Sequence, residues 1–210
     1  MADLQKLFDS IVAGKLEPAQ EVSKEIIAEK LDIAYIINNY MIKAMEEIGE
    51  RFQNQKAFVP ELLMSARAMK GSLELLKPYM KGENTNVIGK VVIGTVFGDL
   101  HDIGKNLVAS MFEGCGFQVI NLGVNVPAGK FVEAVRNEQP DILCLSALLT
   151  TTMNNMKGVI EALKEAGLRD KVKIMVGGAP VNEVFARQIG ADGYTGNANA
   201  AVIMAREFIQ

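Results

Sequence analysis

The chain has one histidine, His101, in the segment GDLHDIGKN, with Asp99 and Asp102 close on either side. An imidazole binds transition metals and exchanges protons near neutral pH, so this residue is the first candidate for chemistry. Asp99 lies two residues before His101, and in an extended segment the two side chains project to one side. A carboxylate in that place can accept the second N–H of a metal-bound imidazole. The spacing indicates either a metal ligand with its orienting partner or a hydrogen-bonded loop histidine.

His101, Asp99 and Asp102 are too few for an ordinary divalent metal site, because zinc sites use three or four protein ligands rich in histidine and cysteine. The segment HDIGKN also lacks the glycine pattern of a phosphate-binding loop. Asp102 and Gly104 suit the start of a helix, where Asp102 would cap free N–H groups. Any metal that His101 binds must therefore take most of its ligands from elsewhere.

Net charge and hydrophobicity exclude several classes of protein. The net charge is -3 and Lys and Arg do not cluster, which argues against a protein that binds nucleic acid or a membrane surface. No run approaches the roughly 18 apolar residues of a membrane span, and the N-terminus lacks the pattern of a secretion signal. Cys115 and Cys144 lie among apolar residues, which predicts buried thiols rather than a disulfide. We expect a cytoplasmic protein.

Residues 1–80 have the apolar periodicity of helices throughout, and their stripes predict four helices. The longest stripe runs from Ile33 to Phe52, in the segment DIAYIINNYMIKAMEEIGERFQ. Pro18 and Pro60 stand where the first turn of a helix tolerates proline. These helices predict a small four-helix bundle.

The segment KPYMKGENTNVIGK has the proline, glycine and asparagine content of a linker. It predicts a boundary near residues 82–89, between a helical domain of residues 1–88 and a second domain of residues 89–210. Four apolar, β-rich runs follow, each succeeded by a helical pattern: KVVIGTVFG, FQVINLG, DILCLSA and KVKIMVGG. A weaker strand is expected near residues 192–194. This alternation predicts an α/β fold with a flavodoxin-like, doubly wound, five-stranded parallel sheet of order 2-1-3-4-5.

Ligands of such sheets bind beyond the carboxyl ends of the strands, where the strand order reverses. The loops GDLHDIG and SALLTTT follow the first and third strands, which the predicted order makes neighbours, while GGAP and YTGNAN follow the fourth and fifth. The threonines of SALLTTT could cap a helix that starts near Met153 or bind a ligand. Gly177 and Gly178 could serve a tight turn or leave room for a ligand. Polar and glycine-rich segments are thus expected at one edge of the sheet.

These motifs resemble those of the corrinoid-binding methyl carriers of anaerobic methyltransferase systems, which look like the cobalamin-binding module of methionine synthase. The resemblance covers nearly all 210 residues. The helical half resembles the cap domain of that family, in which an apolar segment such as KAFVPELLMSARAMK covers the upper face of the corrin. The family pattern is Asp-x-His-x-x-Gly, then Ser-x-Leu, then Gly-Gly, and here these positions are Asp99, His101, Gly104, Ser146, Leu148, Gly177 and Gly178.

The resemblance implies that the cofactor is cobalamin or a related corrinoid, bound base-off with His101 as the lower axial ligand of cobalt. The corrin ring would supply four further ligands. Asp99 would bind His101 and Thr152 would continue this relay, at a position where methionine synthase has a serine. Phe58 would cover the methyl group, and the slot for the displaced nucleotide tail would be lined by Ser146, Thr150, Gly177 and Gly178. The implied cofactor contacts are Asp99, Leu100, His101, Asp102, Ile103, Gly104, Ser146, Leu148, Thr150, Gly177, Gly178, Tyr194, Ala198 and Phe58.

The resemblance also implies a function. Cobalt would accept a methyl group from a methylated substrate through a partner methyltransferase and pass it to a second methyltransferase with a tetrahydrofolate or thiol acceptor. A reductive activator is a further expected partner, and the chain would not be catalytic alone. A corrinoid-dependent sensor and a subunit of a carbon-skeleton isomerase are the alternatives. The resemblance leaves the methyl donor open among methanol, methylamines, quaternary amines and methoxylated aromatics.

Overall fold

A computed structural model describes residues 2–79 and 88–210. The chain divides into two compact units, Met1–Val87 with Ser110–Gly116 and Ile88–Ala109 with Phe117–Gln210. Most of the predicted linker, residues 80–87, lies outside the described residues.

The first unit is helical, as its periodicity predicts. Asp3 caps the first helix by accepting a hydrogen bond from the N–H of Lys6. Pro18 and Pro60 lie in first helical turns, where proline costs no hydrogen bond. The helices are α1 Leu4–Val12, α2 Leu16–Ala28, α3 Ile33–Ile36, α4 Ile42–Gln53 and α5 Val59–Leu76, with a π-helical turn at Ile37–Met41 and a 3-10 turn at Lys77–Tyr79.

The π-helical turn divides the longest predicted helix into α3 and α4. A π turn accommodates one more residue than an α turn while the chain stays helical. Ile37 and Met41, at the two ends of the turn, are both buried. Adjacent buried apolar residues stand at both ends of the turn, Ile36 with Ile37 and Met41 with Ile42, so apolar partners lie both four and five positions apart and either winding continues the stripe. The periodicity therefore predicts the helix without revealing the turn.

From residue 90 onward, strands and helices alternate as predicted. Each strand except the short β5 is rich in apolar residues, and each is followed by a helix. The strands are β1 Lys90–Thr95, β2 Gln118–Asn121, β3 Ile142–Ser146, β4 Lys173–Gly177 and β5 Gly193–Tyr194. The helices are α6 Ile103–Gly114, α7 Ala128–Glu138, α8 Asn155–Glu165, α9 Glu183–Ile189 and α10 Ala198–Ile209, with a 3-10 turn at Arg169–Lys171.

The five strands form one parallel sheet of order β2-β1-β3-β4-β5, which confirms the predicted fold. The strand order reverses between β1 and β3, so the loops that follow these strands are neighbours. Thr95 pairs with Ser146, and Ser146 pairs with Gly177. The last residues of β1, β3 and β4 therefore lie side by side. The loops expected to carry the site begin from this row.

The sheet core consists of aliphatic side chains from β1, β3 and β4 packed against the helices. β1 is almost entirely buried, whereas the edge strand β2 is only partly covered. Cys115 and Cys144 are buried free thiols, as predicted, and burial raises the pKa of Cys144 to about 12. In the part of the chain that the structure describes, no helix combines the length and hydropathy needed to span a membrane.

Candidate functional site

A tight turn of residues 96–99 carries the chain from β1 into the histidine loop. The N–H of Asp99 donates to the carbonyl of Val96 at 3.2 Å. Gly98 has φ of +79°, typical of the third position of a type II turn, which glycine adopts without strain. The turn ends at Asp99, and residues 99–102 then lead without regular secondary structure to α6. This turn buries Asp99 completely.

Asp99 and His101 meet. Oδ1 of Asp99 accepts from the backbone N–H of His101 at 3.1 Å and lies 2.8 Å from Nδ1 of the ring. Oδ2 faces the loop after β3, where it accepts from the N–H groups of Leu148 at 2.8 Å and Leu149 at 3.3 Å. The hydroxyl of Thr152 also donates to Oδ2, at 2.7 Å. One carboxylate thus joins the two loops that flank the reversal of strand order.

Asp99 is ionised at neutral pH. Burial alone would raise the pKa of its carboxyl group, but the hydrogen bonds from Thr152, His101 and Leu148 outweigh burial and hold the pKa well below its usual range. An ionised carboxylate only accepts hydrogen bonds, so Nδ1 of His101 carries a proton. In a neutral imidazole the lone pair then lies on Nε2. The site selects the tautomer that can bind a metal through Nε2.

His101 combines a fixed backbone with a half-exposed ring. The buried hydroxyl of Thr95 donates to the carbonyl of His101 at 2.9 Å, which holds the loop to the end of β1. The ring is 51% exposed, and none of the described residues forms a hydrogen bond with Nε2. Leu100 and Ile103 are largely exposed, and a Cβ added at Gly104 would meet nothing within 4 Å. The histidine loop therefore presents two exposed apolar side chains and an open position at Gly104.

The donor set also shows what a metal here would need. Within residues 2–79 and 88–210, no three His, Cys, Asp or Glu side chains gather as a metal-binding group. His101 offers one nitrogen, and Asp99 is already occupied by hydrogen bonds. A metal bound at Nε2 must bring its other ligands with it. A corrin ring meets this requirement, since it supplies four.

Thr152 has one proton and two acceptors within reach. Its Oγ1 lies 2.7 Å from Oδ2 of Asp99 and 3.0 Å from the carbonyl of Leu149. The ionised carboxylate is the stronger acceptor, so the proton points to Asp99. Leu148 and Thr150, in the same loop, are exposed. The structure thus brings together Asp99, His101, Leu148 and Thr152, with Thr150 beside them in the chain.

Two consecutive glycines, Gly177 at the end of β4 and Gly178 directly after it, differ in their surroundings. Gly178 has φ of +123°, and a Cβ there would lie 1.8 Å from the carbonyl oxygen of Ala147. Its missing side chain is thus required by the packing of the chain against itself. A Cβ at Gly177 would make only an ordinary contact with the carbonyl oxygen of Thr195, at 3.5 Å. Ser146, half-buried, pairs with Gly177 in the sheet.

The hydrogen bonds to the Asp99 carboxylate do not involve four further predicted residues: Asp102, Tyr194, Ala198 and Phe58. Asp102 accepts from the side chain of Asn106 at 2.9 Å, so its carboxylate joins a side-chain network rather than the expected main-chain cap. Tyr194 is partly buried in β5, and Ala198, at the start of α10, is 3% exposed. Phe58 belongs to the first unit, where its ring is 68% exposed and its N–H donates to Glu61.

A buried lysine beside the histidine loop was not predicted from the sequence. Lys105 is 4% exposed, and its Nζ donates to side-chain oxygens of Asn106 at 2.8 Å and Asn121 at 2.6 Å. Burial lowers the pKa of Lys105, and the negative charge of Asp102 acts in the opposite direction. Thr95, Asn125 and Asn155 also form bonds to this loop that sequence reasoning missed. The sequence marks these four residues only as polar residues within or beside apolar runs.

Known proteins share both halves of this chain. Two family profiles, each described as a B12 binding domain, match residues 89–203 and 3–77. The dimethylamine corrinoid protein of Methanosarcina barkeri is 42% identical over 207 residues, which cover 98% of this chain and 97% of that protein.

Two solved structures are also similar to this chain. A cobalamin-binding protein from Desulfitobacterium hafniense DCB-2 has a TM-score of 0.85 at 31% identity, with 100% of both chains covered. A chain of the methanol:cobalamin methyltransferase complex of Methanosarcina barkeri has a TM-score of 0.84 at 31% identity, covering 98% of this chain and 79% of that one. The predicted resemblance is confirmed, and the chain belongs to the B12-binding family, among its corrinoid proteins.

Proposed function

We propose that this protein carries methyl groups on a corrinoid whose lower axial ligand is Nε2 of His101. One observation carries the proposal: the buried, ionised Asp99 holds Nδ1 of His101 at 2.8 Å and leaves Nε2 without a hydrogen-bond partner among the described residues. Membership of the B12-binding family supports corrinoid binding. Base-off binding follows from the proposal, because the imidazole takes the place of the cofactor's own base.

The residues of the histidine loop fit this cofactor. Leu100, 71% exposed, and Ile103, 86% exposed, offer apolar contacts to a flat ring, and Gly104 leaves space where a side chain would intrude. Ser146, Thr150 and Gly177 remain the proposed lining for the nucleotide tail. For Gly178 we propose an indirect part, since its close approach to Ala147 shapes the turn beyond β4.

When bound, the corrinoid supplies a cobalt ion that takes up a methyl group and gives it up again. Asp99 keeps Nδ1 protonated and the imidazole oriented, and a carboxylate partner of this kind increases the basicity of the ligating nitrogen. Thr152 donates to the far oxygen of that carboxylate and withdraws part of its charge. Leu148 and Leu149 hold the same oxygen through their N–H groups. Phe58, Tyr194 and Ala198 stay proposed cofactor contacts.

Partner proteins complete the reaction in this proposal. A solved relative comes from a methanol:cobalamin methyltransferase complex, and other relatives are named dimethylamine and trimethylamine corrinoid proteins. These names support a partner methyltransferase that presents the methylated substrate. A second methyltransferase with a tetrahydrofolate or thiol acceptor, a reductive activator and a cytoplasmic location stay predictions. The relatives favour methyl transfer over the sensor and isomerase alternatives.

The proposal is tested by the visible spectrum of the protein after anaerobic refolding with hydroxocobalamin and gel filtration. Wild type should retain the cofactor with a histidine-ligated, base-off spectrum, and His101→Ala should lose that spectrum. Lys157→Ala changes an exposed residue on α8 and serves as the control. If wild type retains no corrinoid, or if His101→Ala has the wild-type spectrum, the proposed ligation is wrong.

A further inference from the structure

Two asparagine side chains from different loops hold the peptide bond between Phe97 and Gly98. Nδ2 of Asn155, the first residue of α8, donates to the carbonyl of Phe97 at 2.7 Å. The N–H of Gly98 donates to Oδ1 of Asn125, in the loop after β2, at 2.8 Å. Both ends of this one peptide unit are therefore bound by side chains. It is the central peptide of the turn that leads into Asp99.

The central peptide of a four-residue turn can point in either of two directions, which distinguish type I from type II turns. Most residues at the third position disfavour type II because it needs a positive φ. Gly98 adopts either sign of φ about equally well, so steric repulsion does not select one orientation. The observed φ of +79° is the orientation in which both asparagines form their bonds.

Each asparagine is itself fixed by the chain around it. Asn125 has φ of +54°, a left-handed conformation that asparagine tolerates better than most residues, and its N–H donates to the carbonyl of Asp99 at 2.9 Å. Asn155 follows Thr152 by three residues, and its N–H donates to the carbonyl of Thr152 at 2.9 Å. The segment that supplies the Thr152 hydroxyl to Asp99 thus also supplies the Asn155 amide to Phe97.

We infer that Asn125 and Asn155 are positioning residues that lock the peptide between Phe97 and Gly98 and thereby aim the Asp99 carboxylate at His101. The type I and type II forms of a turn differ in the direction of the central peptide and keep the two ends of the turn close, so a flip acts on Asp99 through the asparagines. Asn125 also donates its N–H to the carbonyl of Asp99, and Asn155 donates its N–H to the carbonyl of Thr152, which bonds Asp99. A flip that releases both side chains would therefore weaken two segments that hold the carboxylate. The effect on axial ligation rests on the proposed function, whereas the effect on Asp99 does not.

The same substitution at the two positions gives opposite expectations. Asn125→Asp keeps an acceptor for the N–H of Gly98, at an exposed position. Asn155→Asp removes the donor and places a carboxylate against the carbonyl of Phe97. Asn154→Asp is the matched control, because Asn154 is exposed and forms no side-chain cap. Asn125→Gly removes the acceptor but accepts the positive φ.

The first measurement is amide hydrogen exchange in the cofactor-free protein. The N–H of Leu148 donates to Oδ2 of Asp99, so its exchange rate reports the placement of the carboxylate. We expect the N–H of Leu148 to exchange about fivefold to tenfold faster in Asn155→Asp and in Asn125→Gly, which corresponds to the loss of one hydrogen bond. Asn125→Asp and Asn154→Asp should exchange like wild type. An unchanged rate in both Asn155→Asp and Asn125→Gly would overturn the inference.

The second measurement is the histidine-ligated fraction after loading with hydroxocobalamin, read from the visible spectrum at one pH. Asn155→Asp and Asn125→Gly should show a smaller fraction than wild type, and Asn125→Asp should restore it. If the N–H of Leu148 exchanges faster in Asn155→Asp and Asn125→Gly but their visible spectra equal that of wild type, the two asparagines do not govern axial ligation and that part of the inference is wrong. If wild type itself takes up no corrinoid, the proposed function fails, and the exchange rates alone decide whether the asparagines position Asp99.

Discussion

Replacing Thr152 with valine removes one hydrogen bond to the buried Asp99 carboxylate and nearly preserves the shape of the side chain. The bond is 2.7 Å long, and its acceptor is ionised and buried. Bonds to charged groups contribute about 1.5–3 kcal/mol. Leu148 and Leu149 still donate to the same oxygen in the variant, so that oxygen keeps two hydrogen-bond donors. We therefore expect Thr152→Val to lower the free energy of unfolding by about 1.5–2 kcal/mol, near the lower end of that range.

The assay is urea unfolding of the cofactor-free protein, followed by circular dichroism at pH 7. A loss of about 2 kcal/mol with a slope of about 2 kcal/mol per molar urea lowers the midpoint by roughly 1 M. Thr151→Val is the matched control, since Thr151 is the adjacent threonine and its side chain is exposed. A Thr152→Val midpoint equal to that of Thr151→Val would refute the energetic role of this bond.

The pH dependence of stability is a second test of the Thr152 bond. The pKa of Asp99 is lowered in the folded protein. Ionisation of Asp99 therefore stabilises the fold, and the stabilisation is complete above the pKa of Asp99 in the unfolded chain, ~3.9. That contribution is lost as the pH falls towards the folded-state pKa. Losing the Thr152 bond raises the folded-state pKa of Asp99. The unfolded-state pKa is the same in both proteins, so the difference in unfolding free energy between wild type and Thr152→Val should stay constant until the pH falls towards the raised folded-state pKa of the variant, and should narrow below it.

Two further predictions concern close packing and a buried charge. Gly178→Ala should lower the free energy of unfolding by more than about 3 kcal/mol, because its Cβ would overlap the carbonyl of Ala147. Gly104→Ala should change the free energy of unfolding of the cofactor-free protein by less than about 1 kcal/mol, because its Cβ would meet nothing within 4 Å. Thermal unfolding of the two variants decides this, and equal losses would contradict it. The pKa of Lys105 is lowered in the folded protein, so stability should rise as the pH climbs through that lowered pKa towards ~10.5. Lys105→Met should abolish the rise, and an identical pH profile in urea unfolding would show that Lys105 does not cause it.

The fold could be predicted because its signals are local and repeated. Four apolar runs with helices between them predict a parallel sheet, and the reversal of strand order then places two loops side by side. This was enough to bring GDLHDIG next to SALLTTT, where Asp99 and Thr152 meet. The spacing from Ser146 identified Thr152 only through the family resemblance.

Other features depend on geometry that residue spacing does not encode. Asn125 and Asn155 bind main-chain atoms of another loop, and these contacts exist only because the turn of residues 96–99 has one particular peptide orientation. The meeting of Asp99 with His101 was predicted from their spacing, but the second bond, from the N–H of His101 to Oδ1 of Asp99, was not. A polar residue in a loop has many possible partners, and only the folded backbone selects one.

Four donors on two loops of one domain bond the Asp99 carboxylate: His101, Leu148, Leu149 and Thr152. The tautomer of His101 is therefore set when the domain folds. Ordering a metal ligand during binding would cost affinity, and a ligand ordered in advance avoids that cost. In the proposed function, the energy of folding thus prepares Nε2 before the cofactor arrives. Variants that disturb Asp99 should accordingly weaken the cofactor-free fold and the axial bond together, whereas variants of Leu100 or Ile103 should affect only retention of the corrinoid in gel filtration.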